Sequence, residues 1–123
     1  MEKRRQLAIG NLGVAYDAMG EHHKAIDYYL RSLAMAEEMG DRQGRGQALG
    51  NIGVSYYLLK DYEQAYHFQT QHLEIAQDIQ QPWEVSIALC NLGATLTKLG
   101  KYSAAEDTLF SALSICEELH NLA

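Results

Sequence analysis

Proline is nearly absent: Pro82 stands alone in 123 residues, so little in the chain removes a backbone donor from a helix. Cysteine is scarce too, and Cys90 and Cys116 are too few for a disulfide framework in a chain of this length. No segment alternates apolar and polar residues, which leaves no strand signal. Uncharged stretches such as Gly46–Leu59 are short and carry Gln47, Asn51 and Ser55, so none spans a bilayer and no membrane association is expected. At the N-terminus, Glu2, Lys3, Arg4 and Arg5 run into a helical pattern with no apolar core of a signal peptide. Basic residues are outnumbered, ten Lys and Arg against sixteen Asp and Glu. They thin out along the chain, from five in residues 1–40 to three in 41–80 and two in 81–123. No face is basic enough to neutralise a phosphate backbone, which argues against nucleic acid.

What is present is a soluble composition, 47% hydrophobic and 21% charged, in a length that suits one domain, 1–123, without metal or disulfide staples. A cytoplasmic, reducing compartment is the expectation. The dominant signal is repetition. Sliding the chain by forty residues superposes Asn11-Leu12-Gly13 on Asn51-Ile52-Gly53 and Asn91-Leu92-Gly93. Ala8/Ala48/Ala88, Ala25/Ala65/Ala105 and Leu33/Leu73/Leu113 are likewise identical in all three copies, which occupy 1–40, 41–80 and 81–120.

Each copy reads as two helices, at 4–19 and 22–39, 42–59 and 62–79, 83–99 and 102–119, from apolar residues at helical spacing. Gly20, Gly40 and Gly100 are stop signals, Asp41 a cap, and Pro82 fits a first helical turn. Gly13, Gly53 and Gly93 each cost about 1 kcal/mol in a helix relative to Ala. Such residues imply a close helix approach, with Ala25, Ala65 and Ala105 as the natural opposite wall. Tyr16, Tyr28, Tyr56, Tyr62 and Tyr102 are expected to pack between layers. The fold class is all-α, a superhelical solenoid of three antiparallel helix pairs.

Ile9, Leu12-Gly13, Tyr16 and Ala25 together resemble the tetratricopeptide repeat. The forty-residue period, the Asn before Leu-Gly and the link Gly40-Asp41-Arg42-Gln43-Gly44 are similar to the longer variant of Leu-Gly-Asn-repeat G-protein regulators, kinesin light chains and bacterial peptide-pheromone receptors. The family's closing Pro is missing, with Glu37, Gln77 and Glu117 near its place. The third copy substitutes Gln80-Gln81-Pro82-Trp83 for the link and Leu96 for the aromatic. The resemblance implies a scaffold that binds a protein or peptide segment, and it implies neither enzyme nor cofactor.

Catalytic and metal chemistry find no footing. Gly44, Gly46 and Gly50 have the wrong spacing for a dinucleotide loop and no preceding strand. His67 and His72 lie on different helix faces, His22 belongs at a turn, and Cys116 shares a small, buried column with Ala36 and Ala76. No nucleophile–base arrangement recurs.

Stacked pairs curve so that first helices line a concave face. Helical spacing places Asn11, Val14 and Asp17 there, with Gln47, Asn51, Val54 and Tyr57 from the second copy and Asn91 and Lys98 from the third. Each Asn either reads the backbone of an extended partner of about six to nine residues or ties neighbouring layers together. A structural array segment that spaces or self-assembles, without binding a short peptide, is the other function class. The uncapped start and the apolar residues left on the last helix (Leu109, Phe110 and Leu113 among them) further suggest a piece of a longer array, prone to end-to-end self-association.

Overall fold

The computed structural model describes residues 1–122, and these form six helices in order. They are α1 (Glu2–Ala18), α2 (His22–Met39), α3 (Arg42–Leu58), α4 (Tyr62–Asp78), α5 (Pro82–Lys98) and α6 (Tyr102–Leu122). No strand occurs among the described residues. Each helix packs on the next, and α3 also touches α5, so successive first helices lie side by side. The bounds of α2 match those read off the sequence and the others differ by at most three residues, chiefly because α1 starts earlier and α6 runs further.

One turn chemistry closes all five connections. The N–H of the residue just before the next helix reaches back to a carbonyl five residues earlier: Glu21 to Tyr16 (2.8 Å), Asp41 to Ala36 (2.8 Å), Asp61 to Tyr56 (2.9 Å), Gln81 to Ala76 (3.3 Å) and Lys101 to Leu96 (2.9 Å). This double-bonded helix stop needs a left-handed residue just before the donor. Gly20, Gly40 and Gly100 supply it without strain, whereas Lys60 (φ 66°) and Gln80 (φ 55°) adopt it with a side chain. Asp41 then caps α3, accepting from Gly44 N–H at 3.0 Å, and Asp61 caps α4 by accepting from Gln64 N–H. Lys3, donating to the Asp41 side chain, and the Gly44 N–H hold that carboxyl below the usual carboxylate range.

Helix pairing rests on the glycines. The alanine column contributes backbone at Gly53, where Ala65 O would lie 3.5 Å from an added Cβ, but the side chains nearest the glycines come from elsewhere. A Cβ at Gly13 would sit 2.5 Å from the Tyr29 ring, one at Gly53 2.6 Å from Gln69, and one at Gly93 2.5 Å from Leu109. These partners lie one turn beyond Ala25, Ala65 and Ala105. Helical side chains lean toward their own N-terminus, so a residue one turn further on covers the spot. The alanines are themselves sealed at 0%, 0% and 3% exposure.

The aromatics pack within pairs more than between them. Tyr16 stacks on Tyr28 at 5.4 Å between ring centroids, and Tyr56 stacks on Phe68 at 5.6 Å. Tyr102 is 70% exposed, contrary to the core role expected of it, and Cys116 is exposed where Ala36 and Ala76 are buried. Cys116 is open because no described helix covers α6 as α3 and α5 cover α2 and α4. Tyr102 instead has Thr97 at the place where its counterpart Tyr62 packs edge-on against Tyr57 of its own pair.

The strained left-handed positions give a direct test. Replacing Lys60 with Gly removes a side chain from a conformation that costs L-residues about 1–2 kcal/mol, partly offset by glycine's greater unfolded-state entropy. We expect Lys60→Gly to stabilise the fold by about 0.5–1 kcal/mol, read as a melting-temperature rise of a few degrees. No rise, or a fall, would contradict the turn assignment.

Candidate functional site

The side-by-side first helices leave a grooved face, and the second helices show through at its floor. Between α1 and α3 a cavity of about 90 Å³ is lined by Leu7, Asn11, Val14, Gln47 and Asn51, with Tyr29 and Ser32 of α2 beneath. Between α3 and α5 lie two more. One, about 280 Å³, has Gln47, Asn51, Val54, Ile87 and Asn91 at its walls and His72 and Glu84 below. The other, about 260 Å³, is bounded by Val54, Tyr57, Leu58, Asn91 and Ala94 over Gln69. Seven of the nine residues placed here by helical spacing therefore come together: Asn11, Val14, Gln47, Asn51, Val54, Tyr57 and Asn91.

The other two do not line these cavities. Lys98 sits exposed at the last turn of α5. Asp17 is engaged inside, its Oδ2 accepting from Ser55 Oγ at 2.7 Å and Tyr29 Oη at 3.1 Å, while His22 Nδ1 lies 2.8 Å from Oδ1. Burial, then the Asp17 charge and hydrogen bond, push the Tyr29 hydroxyl above the usual phenol range. Serine at 55 and threonine at 95 occupy one repeat column, with Ala15 in the first copy. Thr95 Oγ1 donates to Gln69 Oε1 at 2.6 Å, and both residues are essentially sealed from solvent.

The polar ties from one repeat to the next are accordingly Lys3–Asp41, Ser55–Asp17, Thr95–Gln69 and His72–Glu84. None among the described residues uses an Asn side chain. Asn11 and Asn51 are exposed and Asn91 is half-buried, and all three line the cavities. Sequence reasoning missed Gln69, His72 and Glu84 in the floor. The signal available was the pairing of a large polar residue at 72 with a glycine at 50 in the copy where the other two pair Gly10 with Ser32 and Cys90 with Ala112.

No group of three His, Cys, Asp or Glu side chains among the described residues is disposed to hold a metal ion, and none of these helices is long and apolar enough to cross a membrane. The groove can donate and accept hydrogen bonds through its amides and bury apolar side chains against Val14, Val54, Ile87 and Leu58.

The family model of the tetratricopeptide repeat matches residues 5–78 and again 44–118. The chain belongs to the tetratricopeptide-repeat family. No curated protein matches it closely enough to count as a relative. Among solved structures it resembles BtubC from P. vanneervenii, with a TM-score of 0.88 and 23% identity over 94% of this chain and 48% of that one. It also resembles the tetratricopeptide domain of Arabidopsis FLU, with a TM-score of 0.90 and 18% identity over 96% of this chain and 99% of that one. A third is the second such domain of Spaghetti (RPAP3) bound to the HSP90 peptide SRMEEVD, with a TM-score of 0.76 and 21% identity over 92% and 94% of the two chains. At these identities the likeness is one of fold. The chain spans about half the length of BtubC.

The division of labour between hydroxyls and amides predicts opposite outcomes for two substitutions. Thr95→Val leaves the sealed Gln69 carbonyl without its donor and should cost about 1–3 kcal/mol. Asn51→Ala removes no internal bond and should stay within about 0.5 kcal/mol of the parent. Thermal unfolding of both checks this, and a loss at Asn51 as large as at Thr95 would make the asparagine a structural tie.

Proposed function

We propose that the concave face holds an extended segment of a protein partner, with Asn11, Asn51 and Asn91 hydrogen-bonding its backbone and Gln47, Val14, Val54 and Tyr57 contacting its side chains. The observation that carries this reading is the recurrence of an unengaged amide at each rung of the groove. An amide offers both a donor and an acceptor, which suits a peptide backbone of any sequence. A tetratricopeptide scaffold for protein interaction is what the family implies, and the Spaghetti domain with its bound heptapeptide supports the segment length. Asp17 leaves the recognition set because its carboxylate is occupied, and Lys98 can act only at the edge. Binding rather than catalysis, in a reducing compartment suited to free thiols at Cys90 and Cys116, fits this role.

A second reading concerns the ends and is compatible with the first. Leu12 is 45% exposed on α1, whereas its counterparts Ile52 and Leu92 are 0% and 8%. Leu113 is 52% exposed on α6. These columns are those a further helix pair would cover, which supports stacking of repeats or of copies at either end.

Selection of a random displayed library of eight-residue peptides on the immobilised chain tests the groove directly. The selected peptides should bind Asn51→Ala two- to tenfold more weakly than the parent, the effect of one backbone hydrogen bond, with unchanged melting. Equal affinity for parent and Asn51→Ala would remove the asparagines from recognition.

A further inference from the structure

We propose that the cavity between α3 and α5 contains an acidic subsite at Glu84 that receives a lysine or arginine side chain of the bound segment. This deepens the groove-binding reading and rests on it. The subsite begins with a glycine window. At Gly50 a Cβ would lie 2.7 Å from His72 Nδ1, so only glycine lets the ring of this second-helix residue pass beneath α3 to the groove floor. The first repeat has no such intrusion, since a Cβ at Gly10 would meet nothing closer than the Ser32 hydroxyl at 3.6 Å.

His72 is 5% exposed, and its Nε2 lies 3.2 Å from Glu84 Oε2. An ionised carboxylate only accepts, so Nε2 donates. Nδ1 is buried with no hydrogen-bond partner. The ring thus fixes the carboxylate in place from below, and only Oε2 is taken.

Glu84 has an ordinary alternative that the structure does not use. It is the third residue of α5, after Pro82, where a glutamate can fold back onto the N–H of the capping residue. That N–H, on Gln81, bonds Ala76 O at 3.3 Å instead. The carboxylate turns to His72 and the cavity, with 24% of its side chain open to solvent.

Charge then decides what it meets. No Lys or Arg lines the cavity, and Glu84 is its one carboxylate. Arg42 is paired with Asp78 at 2.9 Å, and Arg45 lines a separate cleft beside Glu37 and Asp41. Lys98 lies fourteen residues further along α5, roughly 21 Å at the helical rise, beyond a screening length of about 8 Å. A half-buried carboxylate with no Lys or Arg near it, its one basic neighbour being the His72 ring that holds Oε2, favours a cationic group at its free oxygen and disfavours an anionic one. An acidic segment such as SRMEEVD therefore fits this groove poorly.

The displayed eight-residue library supplies the test, selected on the parent chain and on Glu84→Gln and Glu84→Lys at low salt. Gln is accepted at the third position of a helix as readily as Glu, so Glu84→Gln should keep the fold. The parent should enrich Lys or Arg at one peptide position, Glu84→Gln should lose that enrichment, and Glu84→Lys should shift it toward Asp or Glu. For a synthetic peptide from the parent pool, replacing that basic residue with Gln should weaken binding about five- to tenfold in the parent and less than twofold in Glu84→Gln. If Glu84→Gln melts early, Gln47→Lys, which sets a cation beside the carboxylate from α3, should abolish the same preference. Peptides selected without a basic preference, or with one that survives both variants, overturn the subsite while leaving the groove intact. Failure to select any peptide overturns the groove reading and the subsite together.

Discussion

At Gly13, Gly53 and Gly93 the paired helices stand so close that one added carbon would overlap the facing side chain. That approach sets everything outward from it. It seals the alanine columns and tucks Tyr29 and Gln69 beneath the neighbouring first helix. From there their polar ends meet Asp17 and Thr95. Each glycine costs about 1 kcal/mol of helix propensity, and the cost is offset by the contact it permits. A solenoid gains its stability from such interfaces summed along the array, since no repeat buries its apolar face alone.

Because second-helix side chains already reach between layers, the first helices need no bond from their exposed faces to hold the stack. Ser55 and Thr95 lie on the inner side of α3 and α5 and carry two of the four interlayer polar contacts, Lys3–Asp41 and His72–Glu84 being the others. The asparagine column, four residues earlier on the same helices, is left over. A position that repeats in three copies and performs no internal task is available for recognition. The Gly50 window extends the same principle, since a glycine placed for close approach admits His72 and with it the Glu84 contact.

The fold was legible almost completely from the forty-residue offset, because identical residues at one period leave a single way to stack helix pairs. The stops were legible at Gly20, Gly40 and Gly100, but Lys60 and Gln80 take the same left-handed geometry without a glycine to announce it. The rim of the groove followed from helical spacing on one element. Its floor did not, because Gln69, His72 and Tyr29 arrive from a different helix, and spacing within one helix says nothing about what passes beneath it. Asp17 belongs to the same failure: its counterpart Tyr57 lines the groove, while three donors draw Asp17 inward. Exposure of Cys116 depends on which neighbour covers α6, a property no column of residues contains, while Tyr102 lacks the partner that Tyr57 gives Tyr62 because Thr97 stands in that column.

The central claim is that the asparagine amides face a ligand and the hydroxyls face the fold. Nitrogen-edited spectra of the Asn and Gln side-chain amides, recorded as a groove-selected peptide is titrated in, address it most directly. The account predicts that the amides of Asn11, Asn51 and Asn91 shift on binding while that of the sealed Gln69 stays fixed. Saturable binding that leaves the three asparagine amides unmoved, or that moves resonances of α6 instead, would contradict it.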